Sequence, residues 1–331
     1  MPFTNNSIEI VILTGGRFEY FKESLESVLN QTVKNFKITI INNIAVDDGT
    51  EQYVKSLQEK NNNIHYFKQP NRVKADENLE TAKKFITKEY VIFFHDDDIL
   101  HPQYVEYVLK LLNKYDNVDL ICSLLHSFKD KTELNIKDFK QIRYRIFGTK
   151  SDFAKHIYSS YCTDGTSLVF PNIVYKAQII NRLIPKIDLY GRASDKPLVI
   201  DFINNGKIIQ IVEKDFLYYR NHAGQDTNQK IKNPSIEQIV AYNLYFKNLL
   251  NTDFISRFIF DLFSIKWVKS FYKWAQLKDE LSFCEFIKIL HQKRAINFMA
   301  LFWYLLPIKL ILKPFNYISR NILSKKIKEV G

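Results

Sequence analysis

An apolar run that ends in three consecutive aspartates, Tyr90-Val91-Ile92-Phe93-Phe94-His95-Asp96-Asp97-Asp98, constrains the fold of this chain more than any other stretch. Continuous apolar residues of that length read as a strand buried on both faces, the kind found in sheets covered by helices on each side. Ligands of open α/β sheets bind outside the carboxyl ends of the strands. Three adjacent carboxylates delivered there repel one another unless a cation or a hydrogen-bond network offsets them. Upstream the same rhythm recurs: Ile8 to Leu13, Phe36 to Ile41 and Ile64 to Phe67 are short apolar runs. Between them Tyr20, Phe21, Leu25, Val28 and Leu29 repeat at helical spacing, Asp47-Asp48-Gly49-Thr50 reads as a turn and helix start, and a further helix is expected around Asn78 to Ile86. Alternating strands and helices predict an α/β fold, Rossmann-like, with a mostly parallel central sheet and helices on both faces.

From Leu120 to about Gln210 the pattern mixes strand-like runs, Thr166 to Phe170 and Lys207 to Val212, with helices and turns. After Pro234 the character changes. Ile239 to Leu250, Phe254 to Trp274 and Phe283 to Leu290 carry helical periodicity with lysines and aromatics, so the expected organisation is an α/β unit over 1–232 and an all-helical C-terminal region over 233–331.

The acidic triplet defines the chemistry. Oxygen ligands suit Mg²⁺ or Mn²⁺, which take one or two protein carboxylates and complete their shell with water and substrate phosphates. A nucleoside diphosphate is the natural partner, although Asp96, Asp97 and Asp98 would also serve as a solvated loop capping the helix that begins near Pro102. No G-x-G-x-x-G follows the first strand, which argues against an NAD-dependent oxidoreductase. Thr14-Gly15-Gly16-Arg17 imitates the phosphate loop of a nucleotidyltransferase only faintly. Cys122, Cys162 and Cys284 are odd in number and far apart, so neither a disulfide framework nor a zinc site is indicated and a cytoplasmic location fits. The N-terminal residues carry no export signal.

Taken together, the motifs resemble those of the inverting glycosyltransferases of family two, whose fold is GT-A. Asp96-Asp97-Asp98-Ile99-Leu100-His101-Pro102 is similar to that family's DxD region. Ile10 to Thr14 followed by a helix ending in Ser27-Val28-Leu29-Asn30-Gln31-Thr32 is similar to its first strand and helix, and Asp48-Gly49-Thr50 to the turn after its second strand. Asn78 falls where the family carries an Asn before the DxD strand. The resemblance covers roughly residues 8 to 230.

It implies roles for individual residues. Thr14, Gly16 and Arg17 would touch the nucleotide, with a solvated loop charge as the alternative for Arg17. Asn42-Asn43 stands where relatives often carry the acid that reads a pyrimidine, and an amide offers both a donor and an acceptor for that task. Asp96 is assigned near the ribose and Asp98 on the metal, with Asp97 as a swap for either and His95 as a packed neighbour. Tyr190 to Ile200 resembles the acceptor-side acidic element, which projects the catalytic base onto Asp195, with Ser194 in place of the usual first acid; Asp188 and Asp201 are alternatives. A helix N-cap is the other reading of Asp195. Tyr218-Tyr219-Arg220-Asn221-His222-Ala223-Gly224-Gln225-Asp226-Thr227 is similar to a Y-R-x-H-x-x-Q segment, which puts His222 near the metal or diphosphate and Arg220 on the leaving group.

The formal charge is +11, and from residue 229 onward 17 Lys and Arg face 7 Asp and Glu, a surplus of 10. Confined to a helical, aromatic-rich tail, that charge points to an anionic membrane surface rather than to nucleic acid. Ala295 to Ile308 is too short for a membrane span but has the basic flanks and aromatics of an interfacial helix at the inner face of the cell membrane. A core helix or a homo-oligomer interface is the alternative for that segment. The expected function is transfer of a sugar from a nucleotide-sugar donor, UDP-linked, to a glycan or lipid-linked oligosaccharide in surface polysaccharide, capsule or lipopolysaccharide assembly. A catalytically silent, membrane-associated module that keeps the fold is the other reading, given Asn42 and Ser194.

Overall fold

A computed structural model describes residues 2–44, 46–163, 168, 170, 173–213, 216–225, 234–275, 281–297 and 328–330. Its elements begin with β1 (Ile8–Thr14), α1 (Phe18–Leu29), β2 (Lys37–Asn42), α2 (Thr50–Gln58), β3 (Ile64–Lys68), α3 (Ala75–Lys83) and β4 (Tyr90–His95). They continue with β5 (Ile99–Leu100), α4 (Tyr104–Lys114), β6 (Val118–Ser123), β7 (Leu125–Phe128), β8 (Ile142–Phe147), α5 (Lys150–Thr163) and β9 (Ile173–Lys176). The rest comprises α6 (Ile187–Tyr190), α7 (Asp195–Phe202), β10 (Lys207–Ile211), β11 (Leu217–Arg220), α8 (Ile236–Leu250), α9 (Phe254–Trp274), α10 (Phe283–Gln292) and β12 (Lys328–Val330).

Nine strands form one sheet in the order β12-β8-β10-β6-β9-β4-β1-β2-β3. The α/β expectation holds, and the sheet is mixed. β3, β2, β1 and β4 run parallel, as does β10 with β6. The four-residue β9 lies antiparallel between β4 and β6, and β8 and β12 add antiparallel edges. Helices still separate several strands of this half, α5 between β8 and β9 and α7 between β9 and β10, but its strands are short and pair with antiparallel neighbours. β12 also departs from an all-helical C-terminal region: its three residues return to the sheet edge. The strand-like run Thr166 to Phe170 and the apolar stretch 298–308 lie outside the described residues, apart from Leu168 and Phe170.

Alternation along the strands divides the core between the two faces. Ile8, Ile10 and Ile12 of β1 and Ile92 and Phe94 of β4 pack with Phe21, Leu25 and Val28 of α1 and with Val105, Val108 and Leu111 of α4. On the opposite face Val11, Val91 and Phe93 join Phe153 and Tyr158 of α5, Val199 of α7, and Tyr242, Phe246, Trp267 and Phe286 from α8 to α10. The C-terminal helices thus share one continuous core with the sheet. No helix among the described residues is long and apolar enough to cross a membrane.

One face of α1 also fixes the loop after β4. The Ser24 hydroxyl donates to the His95 carbonyl at 2.9 Å, and the Ser27 hydroxyl accepts from Leu100 N–H at 3.1 Å. Gln31, fully buried, donates to the His101 carbonyl at 2.8 Å and accepts from Val105 N–H at 3.0 Å. Those three side chains sit on one helical face and clamp both ends of the acidic turn. Gln31→Ala leaves the buried Val105 N–H without a partner, while the His101 carbonyl keeps the Tyr104 N–H, and should cost about 1–3 kcal/mol. In urea unfolding this should appear as a lower midpoint at unchanged slope.

Candidate active site

The order β4-β1-β2 makes the gap between β1 and β4 a topological switch point, where chains leaving the two carboxyl ends diverge and leave a crevice. Leu13 of β1 stands opposite His95 of β4, so the loop from Thr14 to Arg17 lies beside the triplet. Gly16 has φ +98°, and a Cβ there would approach Ile44 Cδ1 to 2.9 Å, so only glycine fits this turn.

Asp96, Asp97 and Asp98 are all buried, which rules out a solvated loop. The Asp96 carboxylate accepts from Gly15 N–H at 3.0 Å and pairs with Arg17, whose other guanidinium nitrogen meets Asp97 Oδ2 at 2.6 Å. Asp98 Oδ1 accepts from Arg220 N–H at 3.0 Å, while Asp98 Oδ2 is buried with no hydrogen-bond partner. Burial raises the Asp98 carboxyl well above the ordinary carboxylate range; Asp97 adds to the rise, and the Arg220 N–H opposes it. Asp96 is also raised by burial, with Arg17 working against the shift. An orphaned, buried carboxylate oxygen among three acids is what a hard cation would satisfy. Ligand atoms of His95, Asp97 and Asp98 lie within 4.8 Å of one another, so His95 joins the acids as well as packing near Phe170.

A second, three-stranded sheet, β5-β11-β7, brings the far segment to the triplet. Leu217 and Tyr218 pair with Leu100 and Ile99, which sets Arg220 beside Asp98 across 122 residues of sequence. The Arg220 guanidinium is sandwiched between the rings of Tyr20 and Phe128, each 4.7 Å from its centre. Its Nε donates to the Asp97 carbonyl at 2.7 Å, and Nη2 pairs with Glu23 at 2.5 Å. These contacts make Arg220 a strut that shapes the acidic turn. His222 Nε2 lies 3.1 Å from Asp97 Oδ2, so it reaches the triplet through Asp97, and its ring packs on Tyr20 at 4.8 Å. Gln225 donates to the Arg220 carbonyl.

Asn42, at the end of β2, donates to Tyr66 Oη at 2.9 Å, and its buried Oδ1 has no hydrogen-bond partner. Gln69 ties Asn42 to Asn78: Gln69 N–H donates to the Asn42 carbonyl at 2.8 Å and its amide to Asn78 Oδ1 at 3.1 Å. Asn78 is therefore one shell behind Asn42.

Asp195 is the first residue of α7, with Ser194 in the N-cap position and no side-chain cap bond. Burial raises its carboxyl, and the charges of Lys196 and then His95 oppose the rise. Asp201 is held by Tyr245 Oη at 2.8 Å and Lys186 at 2.8 Å, and Asp188 is exposed.

Glu23, Tyr20 and Ser24 are site residues that the sequence motifs did not single out. Together with Ser27 they form a polar and aromatic stripe along α1, which Gln31 extends just past the helix end.

Residues 9–176 match the profile of glycosyl transferase family 2. The chain is 25% identical over 242 residues to an uncharacterized glycosyltransferase of Methanocaldococcus jannaschii, covering 73% of this chain and 80% of that one. It is 27% identical over 139 residues to the putative glycosyltransferase EpsH of Bacillus subtilis, 41% of this chain and 38% of EpsH. The structure of S. aureus TarS 1-349 in complex with UDP-GlcNAc superposes with a TM-score of 0.62 at 15% identity, covering 88% of this chain and 82% of that one, a likeness of fold that places the sheet in the GT-A class. The profile spans about half of the 331 residues, and the chain belongs to glycosyl transferase family 2.

Proposed function

We propose that this glycosyltransferase is inverting and metal-dependent, and moves a sugar from a UDP-linked donor to a hydroxyl of a glycan or lipid-linked acceptor in bacterial surface polysaccharide assembly. The observation that carries the reading is the buried, unpartnered Asp98 oxygen within an acidic triplet at the β1/β4 switch point. Asp98 and Asp97, with His222 and His95 in reach, would hold Mn²⁺ or Mg²⁺. When bound, such a cation supplies charge neutralisation for the diphosphate.

The chain's own groups do the rest. Gly15, Gly16 and Arg17 line the phosphate side, and the unpartnered Asn42 Oδ1 is an acceptor for a base N–H. UDP-GlcNAc in the structurally similar TarS supports a uridine donor. Asp195 takes the proton of the acceptor hydroxyl while that oxygen attacks the anomeric carbon. The bond from that carbon to the phosphate oxygen breaks, and the nucleoside diphosphate leaves with its electron pair. A carboxyl raised by burial is a stronger base than an exposed one. The surplus of positive charge after residue 229 supports a cytoplasmic enzyme at the inner face of an anionic membrane, where lipid-linked acceptors are presented.

Release of UDP from a panel of UDP-sugars with Mn²⁺ tests the activity, and no release with any of them would defeat the reading. Asp98→Ala should abolish the Mn²⁺-dependent part of the melting shift caused by UDP, because a ligand selective for the folded state raises its melting point. Asp195→Asn should keep that shift and lower turnover about 10³-fold; full activity in this variant would remove Asp195 as the base. The pH profile follows from the raised Asp195 carboxyl. The base works only when ionised, so at saturating Mn²⁺ kcat/KM should fall with decreasing pH at an acid limb above the ordinary value of about 3.9.

A further inference from the structure

The triplet already holds a cation of the chain's own. Arg17 Nη2 pairs with Asp96 Oδ1 and Nη1 lies 2.6 Å from Asp97 Oδ2, an oxygen that also meets His222 at 3.1 Å. Asp98 Oδ2 is left without a partner. An ion that engages Asp97 Oδ2 together with Asp98 must therefore displace one nitrogen of the guanidinium that bridges Asp96 and Asp97. Unlike the acids, the Arg17 side chain is 34% exposed, so it covers them from the solvent side. It is carried on Gly15-Gly16; a Cβ on Gly15 would meet nothing within 4 Å, which leaves room for this loop to shift.

We propose that Arg17 is the resting counter-cation of the acidic triplet, and that it releases Asp97 to a divalent metal held with Asp98 only when a nucleoside diphosphate offers it phosphate oxygens instead. This rests on the metal-dependent reading above. Guanidinium binds phosphate oxygens through two parallel hydrogen bonds as readily as it binds carboxylate oxygens, so its transfer to the diphosphate replaces the two bonds by which it bridges Asp96 and Asp97. Without the diphosphate, a metal gains the acids at the expense of an ion pair that has no replacement. Metal and nucleotide then bind with positive coupling, and linkage makes that coupling reciprocal. The device keeps metal without donor from occupying the site, and it keeps three buried carboxylates compensated between turnovers.

The test is the free Mn²⁺ signal in electron paramagnetic resonance, titrated with wild type, Arg17→Gln and Arg17→Lys, each with and without UDP. Wild type should bind Mn²⁺ weakly alone and about ten-fold more tightly with UDP. Arg17→Gln should bind Mn²⁺ alone about ten-fold more tightly than wild type and gain less from UDP, with Arg17→Lys between the two. Melting in EDTA is the second measurement: Arg17→Gln should melt below wild type, and Mn²⁺ without UDP should close the gap. Unchanged or weaker Mn²⁺ affinity of Arg17→Gln without UDP would overturn the proposal while leaving the metal reading intact. Failure of wild type to bind Mn²⁺ even with UDP would remove the metal reading and this inference with it.

Discussion

Three carboxylates in a row, all out of water, cannot stay ionised by themselves, and the architecture around Asp96, Asp97 and Asp98 can be understood as the answer to that repulsion. Each acid receives a different kind of compensation. Asp96 has a backbone N–H and a guanidinium, Asp97 has the same guanidinium and an imidazole, and Asp98 has one N–H and an oxygen left over. That asymmetry gives the site its direction. The oxygen without a partner lies on the residue farthest from β4, toward the segment that carries Arg220 and His222.

Helix α1 is what makes the compensation possible. Its apolar face, with Phe21, Leu25 and Val28, buries against the sheet, as an amphipathic helix of an α/β protein must. Its second face carries Tyr20, Glu23, Ser24 and Ser27, and Gln31 follows just past its end; these hold the acidic turn directly or hold the arginine that supports it. A helix ordinarily turns such residues to water. Here Ser24, Ser27 and Gln31 bond instead to backbone groups between His95 and Val105. The turn is therefore shaped by groups some 70 residues upstream and 120 downstream.

This explains how much of the molecule was readable in advance. The parallel strands were legible because each is a continuous apolar run followed by a helix, and the acidic triplet because it interrupts such a run. The helical spans also emerged clearly: Phe254 to Trp274 coincides with α9. What escaped depends on pairing between distant short segments. β9 has four residues and β5 two, too few for any periodicity, yet one runs antiparallel between β4 and β6 and the other brings Arg220 to Asp98. The strut role of Arg220 was equally hidden, since a sequence shows an arginine near a histidine but not the two rings that enclose it.

The far side of the site depends on the C-terminal helices. Asp195 begins α7, and its neighbour Lys196 lies 5.4 Å over the ring of Trp267 in α9. Asp201, at the other end of α7, is bonded to Tyr245 of α8, and Gln238 at the start of α8 donates to the Asp188 carbonyl. Trp267 in turn donates to the Tyr158 carbonyl of α5 and stacks on its ring, at the centre of an aromatic cluster with Tyr242, Phe246 and Phe271. Large rings packed edge to face and stacked give this cluster area and a fixed geometry at once. The change of sequence character after residue 232 therefore does not mark a break in packing, because the helices beyond it form one wall of the core that carries α7. Whatever surface the tail meets, its first three helices already hold the element that carries Asp195 against the sheet that carries the acids.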